Sequence, residues 1–312
     1  MIQIIIFSFN RALQLDTLLR SLVMHWKSPD YCVDIIYNSS DDFFQNGYDI
    51  LIGKYGAEKR ISFHKESACD KPYSIKELFN LYNLKKIMEH PKIRNPRSNF
   101  RSLLIDILQK NTAENVMFMT DDAMYIDDVS ISQDILDWLK KGPKDHQYVL
   151  RFGMNTNDRP DSVCLKNDYL EWRFTDYAFV SDWGYTFSVD AHIYDKNLII
   201  HYLKKYVFIN PNTLEGFVSA RMREHKDANF ARCVMNPKLL SFPINMVQTE
   251  IGNESCDVDC NYLNRKFIEG YTLEYPIPDQ IKTFQVYPDY LMLKKDEIVE
   301  KKYIGMPKSN EV

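Results

Sequence analysis

The sequence lacks several features that would settle its chemistry at sight. No glycine falls in the SFNRALQL stretch that follows the first apolar run, which counts against a Gly-rich phosphate loop with its lysine. No CxxC pair occurs. Cys32, Cys69, Cys164, Cys233, Cys256 and Cys260 are scattered, so reduced thiols in a cytosolic protein are expected, and a zinc site at Cys256 and Cys260 is not. Positive charge is not in excess: 39 Lys and Arg face 43 Asp and Glu, a net charge of −4. That gives no electrostatic reason to bind bulk nucleic acid. No uncharged run is long enough to span a bilayer. The opening MIQIIIFSFNRALQL has no basic residue ahead of its short apolar run and no small-residue cleavage site after it, so a signal peptide is not expected. Internal repeats, low-complexity tracts and an evident linker are also missing.

What is present is a regular alternation in the first half. Ile2 to Phe7, apolar and rich in β-branched residues apart from Gln3, is a run of the kind buried on both faces of a sheet. Leu15, Leu18, Leu19 and Leu22 then recur at helical spacing. Cys32 to Tyr37 forms a second strand, closed by the turn-forming residues Asn38 to Asp42. Tyr48 to Ile52 and Arg60 to His64 read as short strand or strand–helix pieces, and Ile75 to Met88 as a helix. Phe100, Leu103, Leu104, Ile107 and Leu108 pattern a further helix leading into the strand Asn115 to Met119. Strands alternating with helices imply a doubly wound sheet with ligands at the carboxyl ends of its strands.

Three strand exits carry polar clusters: SFNR at residues 8–11, NSSDD at 38–42, and TDD at 120–122. Any one alone would be an ordinary loop, and Asp41–Asp42 and Asp127–Asp128 show how common acidic doublets are here. Their convergence marks a site. A hard divalent cation binds one or two carboxylates together with substrate phosphates, and pleating directs Asp121 and Asp122 differently.

These three exits, in this order along the chain, resemble the GT-A fold nucleotide-sugar glycosyltransferases, in particular the large bacterial family 2-like group. The resemblance covers roughly the first half by motif. It implies an α/β protein with a GT-A-type, Rossmann-like doubly wound mixed sheet. A single large catalytic domain over residues 1–260 is expected, with 1–125 as the nucleotide-sugar half and 126–260 as the acceptor half. Residues 261–312 would be a C-terminal helical extension packed on it. The implied activity is hexosyl-type transfer from a nucleotide-diphospho sugar to a glycan or lipid-linked acceptor, in bacterial surface polysaccharide synthesis, assisted by Mn²⁺ or Mg²⁺. The implied location is the cytoplasm, with peripheral contact at the inner membrane face. In that family a DxD-type motif holds the metal and the donor diphosphate. Thr120 replaces its first residue, so Asp122 matches the metal ligand and Asp121 a ribose or sugar contact. Phe9, Asn10 and Arg11 fall beside base and diphosphate. Tyr37 stands where the family often has an acidic base contact, while Asn38, Ser40 and Asp42 match the rest of that turn.

The second half is less regular. Ser130 and Gln133 suggest a capping box for a helix carrying Ile135, Trp138 and Leu139. Tyr148 to Phe152 reads as a strand. In SDWGYTFS, Trp183 and Tyr185 could stack on an acceptor sugar with Asp182 accepting from a hydroxyl, although an aromatic core would give the same pattern. Transfer with inversion needs a carboxylate to take the acceptor proton. The resembled fold places it near a helix start after the acceptor-side strand, which makes Glu215 in NPNTLEG the first candidate and Asp182 the second. Asp257 and Asp259 form another DxD string, but without a preceding strand. A late metal-binding histidine is common in the resembled fold, and His192 is the candidate. Two alternatives remain open at this stage: a nucleotidyltransferase, and a non-catalytic carbohydrate-binding protein on the same fold.

Overall fold

The computed structural model describes residues 1–69, 73, 75–156, 159–179, 181–247, 254–305 and 307–309. The first half contains β1 (Ile2–Phe9), α1 (Ala12–His25), β2 (Tyr31–Asn38), α2 (Asp42–Tyr55), β3 (Ile61–Lys65), α3 (Phe100–Lys110), β4 (Asn115–Thr120) and β5 (Ala123–Tyr125). The second half continues with α4 (Gln133–Lys141), β6 (His146–Val149), β7 (Cys164–Leu165), β8 (Tyr169–Arg173), β9 (His192–Asp195), α5 (Lys196–Lys205), α6 (Pro211–His225), β10 (Phe230–Val234) and β11 (Leu239–Ser241).

Nine strands form one mixed sheet in the order β3-β2-β1-β4-β9-β6-β10-β8-β7. β3, β2, β1 and β4 run parallel, whereas β9 is antiparallel to both of its neighbours. The expected doubly wound mixed α/β architecture is therefore met. β1 lies between two partners and is covered on both faces, which is why its apolar run does not alternate. Ile4 and Ile6 pack with Leu15, Leu18 and Leu22 of α1. Ile5 and Phe7 pack on the other face with Phe100, Leu104 and Leu108 of α3 and with Ile199 and Val218 of α5 and α6.

Register decides where the polar exits go. Phe9 pairs with Asn38, and Phe7 with Thr120. The residues after these pairs emerge together at one edge of the sheet. β5 pairs antiparallel with β11, Ala123 opposite Ser241, and this brings the segment after β11 back over the same edge.

Several local expectations are revised. Tyr48 to Ile52 lies inside α2, where Tyr48 and Leu51 are buried on the inward face. The helix expected over Ile75 to Met88 is split into Ile75–Leu78 and Leu81–Glu89, with the Asn80 side chain capping the second piece. Ser132, not Ser130, caps α4 by accepting from the Ile135 N–H. The extension past residue 260 is one helix, α7 (Cys260–Ile268), followed by an antiparallel sheet of Thr272–Glu274, Tyr290–Lys295 and Ile298–Tyr303, so it is not helical throughout. Leu273, Leu291 and Leu293 share a core with β1 and α1.

Candidate active site

The three exits meet at a cleft of about 730 Å³. Ser8 follows the Phe7–Thr120 pair by one residue, which sets it beside Asp121. Its hydroxyl donates to Asp121 Oδ2 at 2.8 Å and lies 2.7 Å from the Tyr48 hydroxyl. The Phe9 N–H donates to the same carboxylate at 3.3 Å. Arg11, buried, donates from Nη1 to Asp121 Oδ1 at 3.0 Å and to Asp122 Oδ2 at 3.4 Å, and its Nη2 donates to the Asn245 carbonyl. Burial and the neighbouring Asp122 charge raise Asp121 to about 6, against the pull of Arg11 and the Ser8 hydroxyl. The two carboxylates flanking Arg11 hold its guanidinium in the charged form in spite of burial.

A second group faces the first. The Thr120 hydroxyl lies 2.7 Å from Asp122 Oδ1 and 3.1 Å from Asp190 Oδ1. One hydroxyl proton can serve only one of these two acceptors. Asp190, just before β9, also accepts from Arg151 Nη1 at 3.2 Å. Arg151 itself is clamped over the rings of Phe152 and Phe284, at 4.8 and 4.3 Å. Burial and the Asp122 charge push Asp190 above the usual carboxylate range, with Arg151 pulling the other way.

Glu215 sits in the first turns of α6, whose start is fixed by Pro211 and by a capping box between Asn210 and Thr213. Its Oε1 accepts from the Ser188 hydroxyl at 2.7 Å and from the Val189 N–H at 2.9 Å. Burial, and then the Asp190 charge, raise it to about 7.

The predicted residues separate into groups. Phe9, Arg11, Asn38, Asp121, Asp122, Asp182, Tyr185 and Glu215 all line the cleft. Asn10 and Ser40 bond one another reciprocally at 3.0 and 2.9 Å beside it and join the β1 and β2 exits; Asn10 takes a left-handed φ of 56°, which Asn tolerates better than most residues. Asp42 is exposed in the first turn of α2, while Asp41 caps that helix, so Asp42 is not among the cleft residues. Trp183 is 1% exposed and stacks on Phe152 at 4.7 Å. It belongs to an aromatic core and offers no face to an acceptor. His192 is buried, bonds Gln147 through Nδ1, is held neutral by burial and the nearby Arg151 charge, and is not among the residues that line the cleft. Asp259 caps α7.

Sequence reading missed Asp190, Arg151, Asn245 and Glu66. Glu66 follows β3, lines the cleft, and is raised by burial while bonding Ser98 and Asn38. An acidic residue directly before an apolar strand, as in VDAHIY, was the available signal for Asp190.

The residues present fit a hard divalent cation. Asp122 and Asp190 converge on one hydroxyl that cannot satisfy both, each also carries one guanidinium contact on its other oxygen, and seven carboxylates line the cleft against three guanidinium groups. Among the described residues no group of three or more His, Cys, Asp or Glu side chains could by itself hold a metal ion.

No family model matches the chain. A similar curated protein is the bifunctional glycosyltransferase pgtA of Dictyostelium discoideum, 25% identical over 245 residues, which cover 69% of this chain and 27% of that protein. The chain thus spans about a quarter of that relative's length. Similar solved structures include S. aureus TarS, with a TM-score of 0.46 at 13% identity over 77% of this chain and 36% of that one. A complex of TarS 1–349 with UDP-GlcNAc gives 0.45 at 13% identity over 86% and 65%. The mannosyltransferase PcManGT from Pyrobaculum calidifontis with GDP-Man and Mn²⁺ gives 0.38 at 11% identity over 76% and 54%. The relative is itself named a glycosyltransferase, the class that the three strand exits resemble.

Proposed function

We propose that the chain is a glycosyltransferase that moves a sugar from a nucleotide-diphospho donor to a hydroxyl-bearing acceptor, a glycan or a lipid-linked glycan of a cell-surface polysaccharide. The observation carrying this reading is that Glu215, raised to about 7, opens into the same cleft as the Arg11–Asp121–Asp122 cluster. A carboxylate poised near neutral pH is suited to take a proton from a hydroxyl.

In this reading Asp122 and Asp190 hold a divalent cation, which when bound offsets charge on the leaving diphosphate. Arg11 adds a fixed positive charge beside the diphosphate, where charge develops as the glycosidic bond breaks. Asp121, locked by Ser8, Phe9 and Arg11, orients a ribose or sugar hydroxyl. Asn38 and Glu66 lie at the β2 and β3 exits, on the base side, where Glu66 can accept from a base N–H. Phe9, at the β1 exit, covers the nucleotide. Glu215 takes the acceptor proton, with Ser188 and Val189 fixing which lone pair faces the cleft. Tyr185 and the exposed Asp182 border the acceptor side, Tyr185 as a stacking surface.

Calorimetry of UDP and GDP with and without Mn²⁺ tests the reading. One nucleotide is expected to bind more tightly with Mn²⁺, and Asp122→Ala to lose that increment. No nucleotide binding under any of these conditions would overturn it.

A further inference from the structure

The helix Leu81–Glu89 is amphipathic in an unusual sense, because its apolar stripe faces out. Tyr82, Asn83 and Lys86 form the inward face. Tyr82 meets Tyr206 at 5.4 Å, the Asn83 side chain donates to the Lys205 carbonyl at 2.9 Å, and Lys86 lies over Phe217. Leu81, Leu84 and Met88, spaced i, i+3 and i+7, fall on one opposite stripe. Leu81 is 82% exposed and Met88 70%, and Phe79 at the preceding corner is 82% exposed. So large an apolar cluster in the open marks a contact surface rather than chance exposure.

Charge identifies what it contacts. Residues 78–97 carry five Lys and Arg against one acid, a local net of +4 in a chain whose net charge is −4. Lys85 flanks the stripe, Lys92 and Arg94 are exposed just beyond it, and Lys204 and Lys205 are exposed at the end of α5 next to it. An apolar stripe bordered by Lys and Arg is the signature of a helix lying in a bilayer interface with anionic headgroups. No helix among the described residues is long and apolar enough to cross a membrane, so contact here is from one side.

We propose that this face docks on an anionic lipid bilayer. The helix that carries it touches Phe217, two residues past Glu215 of the cleft, and Arg97 and Ser98, which follow it in the chain, line that cleft. Docking therefore sets the cleft at the headgroup layer. Resting on the transferase reading, this extends it by assigning a lipid-linked acceptor.

Flotation of the full chain with vesicles of phosphatidylcholine alone, and of phosphatidylcholine mixed with phosphatidylglycerol, tests this. Binding to the mixed vesicles is expected to exceed binding to the neutral ones and to fall as salt rises. Phe79→Ser with Leu81→Ser should weaken it by about tenfold or more, and Lys85→Glu with Arg94→Glu should do the same, with melting temperature and nucleotide binding unchanged. Equal binding to both vesicle types, no binding, or variants that bind like the parent would overturn the proposal. So would a parent that sediments as a dimer through these residues, since a second copy would then be the occupant. None of these readouts needs turnover, so docking can fail while nucleotide binding stands, and the reverse.

Discussion

The Ser188 hydroxyl donates to Glu215 Oε1 at 2.7 Å, and this bond pulls the carboxyl down while burial and Asp190 push it up. If Glu215 is the base, it works when ionised, so kcat/KM should rise with pH through an inflection near 7. Ser188→Ala removes a bond to the charged form and should move that inflection upward. Glu215→Gln should lower kcat by about 10²- to 10⁴-fold and leave nucleotide affinity intact. A Glu215→Gln enzyme with full turnover would remove the residue from this role.

The same shift has a consequence for stability. Glu215 has a folded pKa above its unfolded one, so between about 4.5 and 7 the unfolded chain gives up a proton that the folded chain keeps. The folded state therefore loses stability as pH rises through that window. Glu215→Gln keeps the oxygen that accepts from Ser188 and Val189 and removes the charge. It should melt with the parent at pH 4 and a few degrees above it at pH 8, on the order of 2 kcal/mol after allowance for the group's partial exposure. Melting curves at the two pH values give the answer, and a parent that is the more stable at pH 8 would contradict it.

Arg11 holds two carboxylates, one of them nearly inaccessible. Arg11→Met leaves Asp121 as an uncompensated buried charge and should cost about 3–5 kcal/mol, read as a lower urea midpoint. Adding Asp121→Asn to that variant should recover part of the loss, since the charge is then gone. An additive pair would mean that the two residues are not coupled.

The Thr120 hydroxyl between Asp122 and Asp190 gives a separate test. If both carboxylates face a cation, Asp190→Asn should weaken Mn²⁺-dependent nucleotide binding by about tenfold or more, comparable to losses seen when metal-site support is removed. Binding measured in chelator should be the same for parent and variant. An unchanged Mn²⁺ dependence would assign Asp190 to Arg151 alone.

How much of this was legible in the sequence follows from the physics of each part. Strands buried on both faces announce themselves as apolar runs with at most one polar residue inside, Gln3 in β1 and Asp34 in β2, so β1, β2 and β4 and their exits could be read directly. Ser8, Arg11 and Asp121 came together because parallel register aligns strand ends. Arg151 falls within the expected strand Tyr148 to Phe152 and Asp190 just ahead of HIYD, but neither could be aimed at the cleft, because β6 ends at Val149, β9 is short and antiparallel to it, and both sit among aromatic residues without a clear period. Asn245 reaches the site only through the pairing of β11 with β5, a contact between segments more than a hundred residues apart. Tyr48 to Ile52 reads in sequence as a strand or a strand–helix piece, because the β-favouring residues in DILI are overruled only by the packing of α2 against α1.

Trp183 shows the same limit from the other side. In sequence, a Trp and a Tyr around Gly184 look like a sugar platform. In the fold, Gly184 packs so closely that an added Cβ would stand 1.9 Å from the Ala178 carbonyl oxygen. That tight turn drives Trp183 inward against Phe152 and Trp172 and leaves Tyr185 lining the cleft. Trp183→Ala should therefore cost about 3–5 kcal/mol of stability, as for other buried aromatics, whereas Trp183→Phe should be milder and leave acceptor KM unchanged. Tyr185→Ala should do the opposite, raising acceptor KM with little change in melting temperature. If Trp183→Phe shifts acceptor KM while Tyr185→Ala does not, the acceptor surface lies on the other side of Gly184.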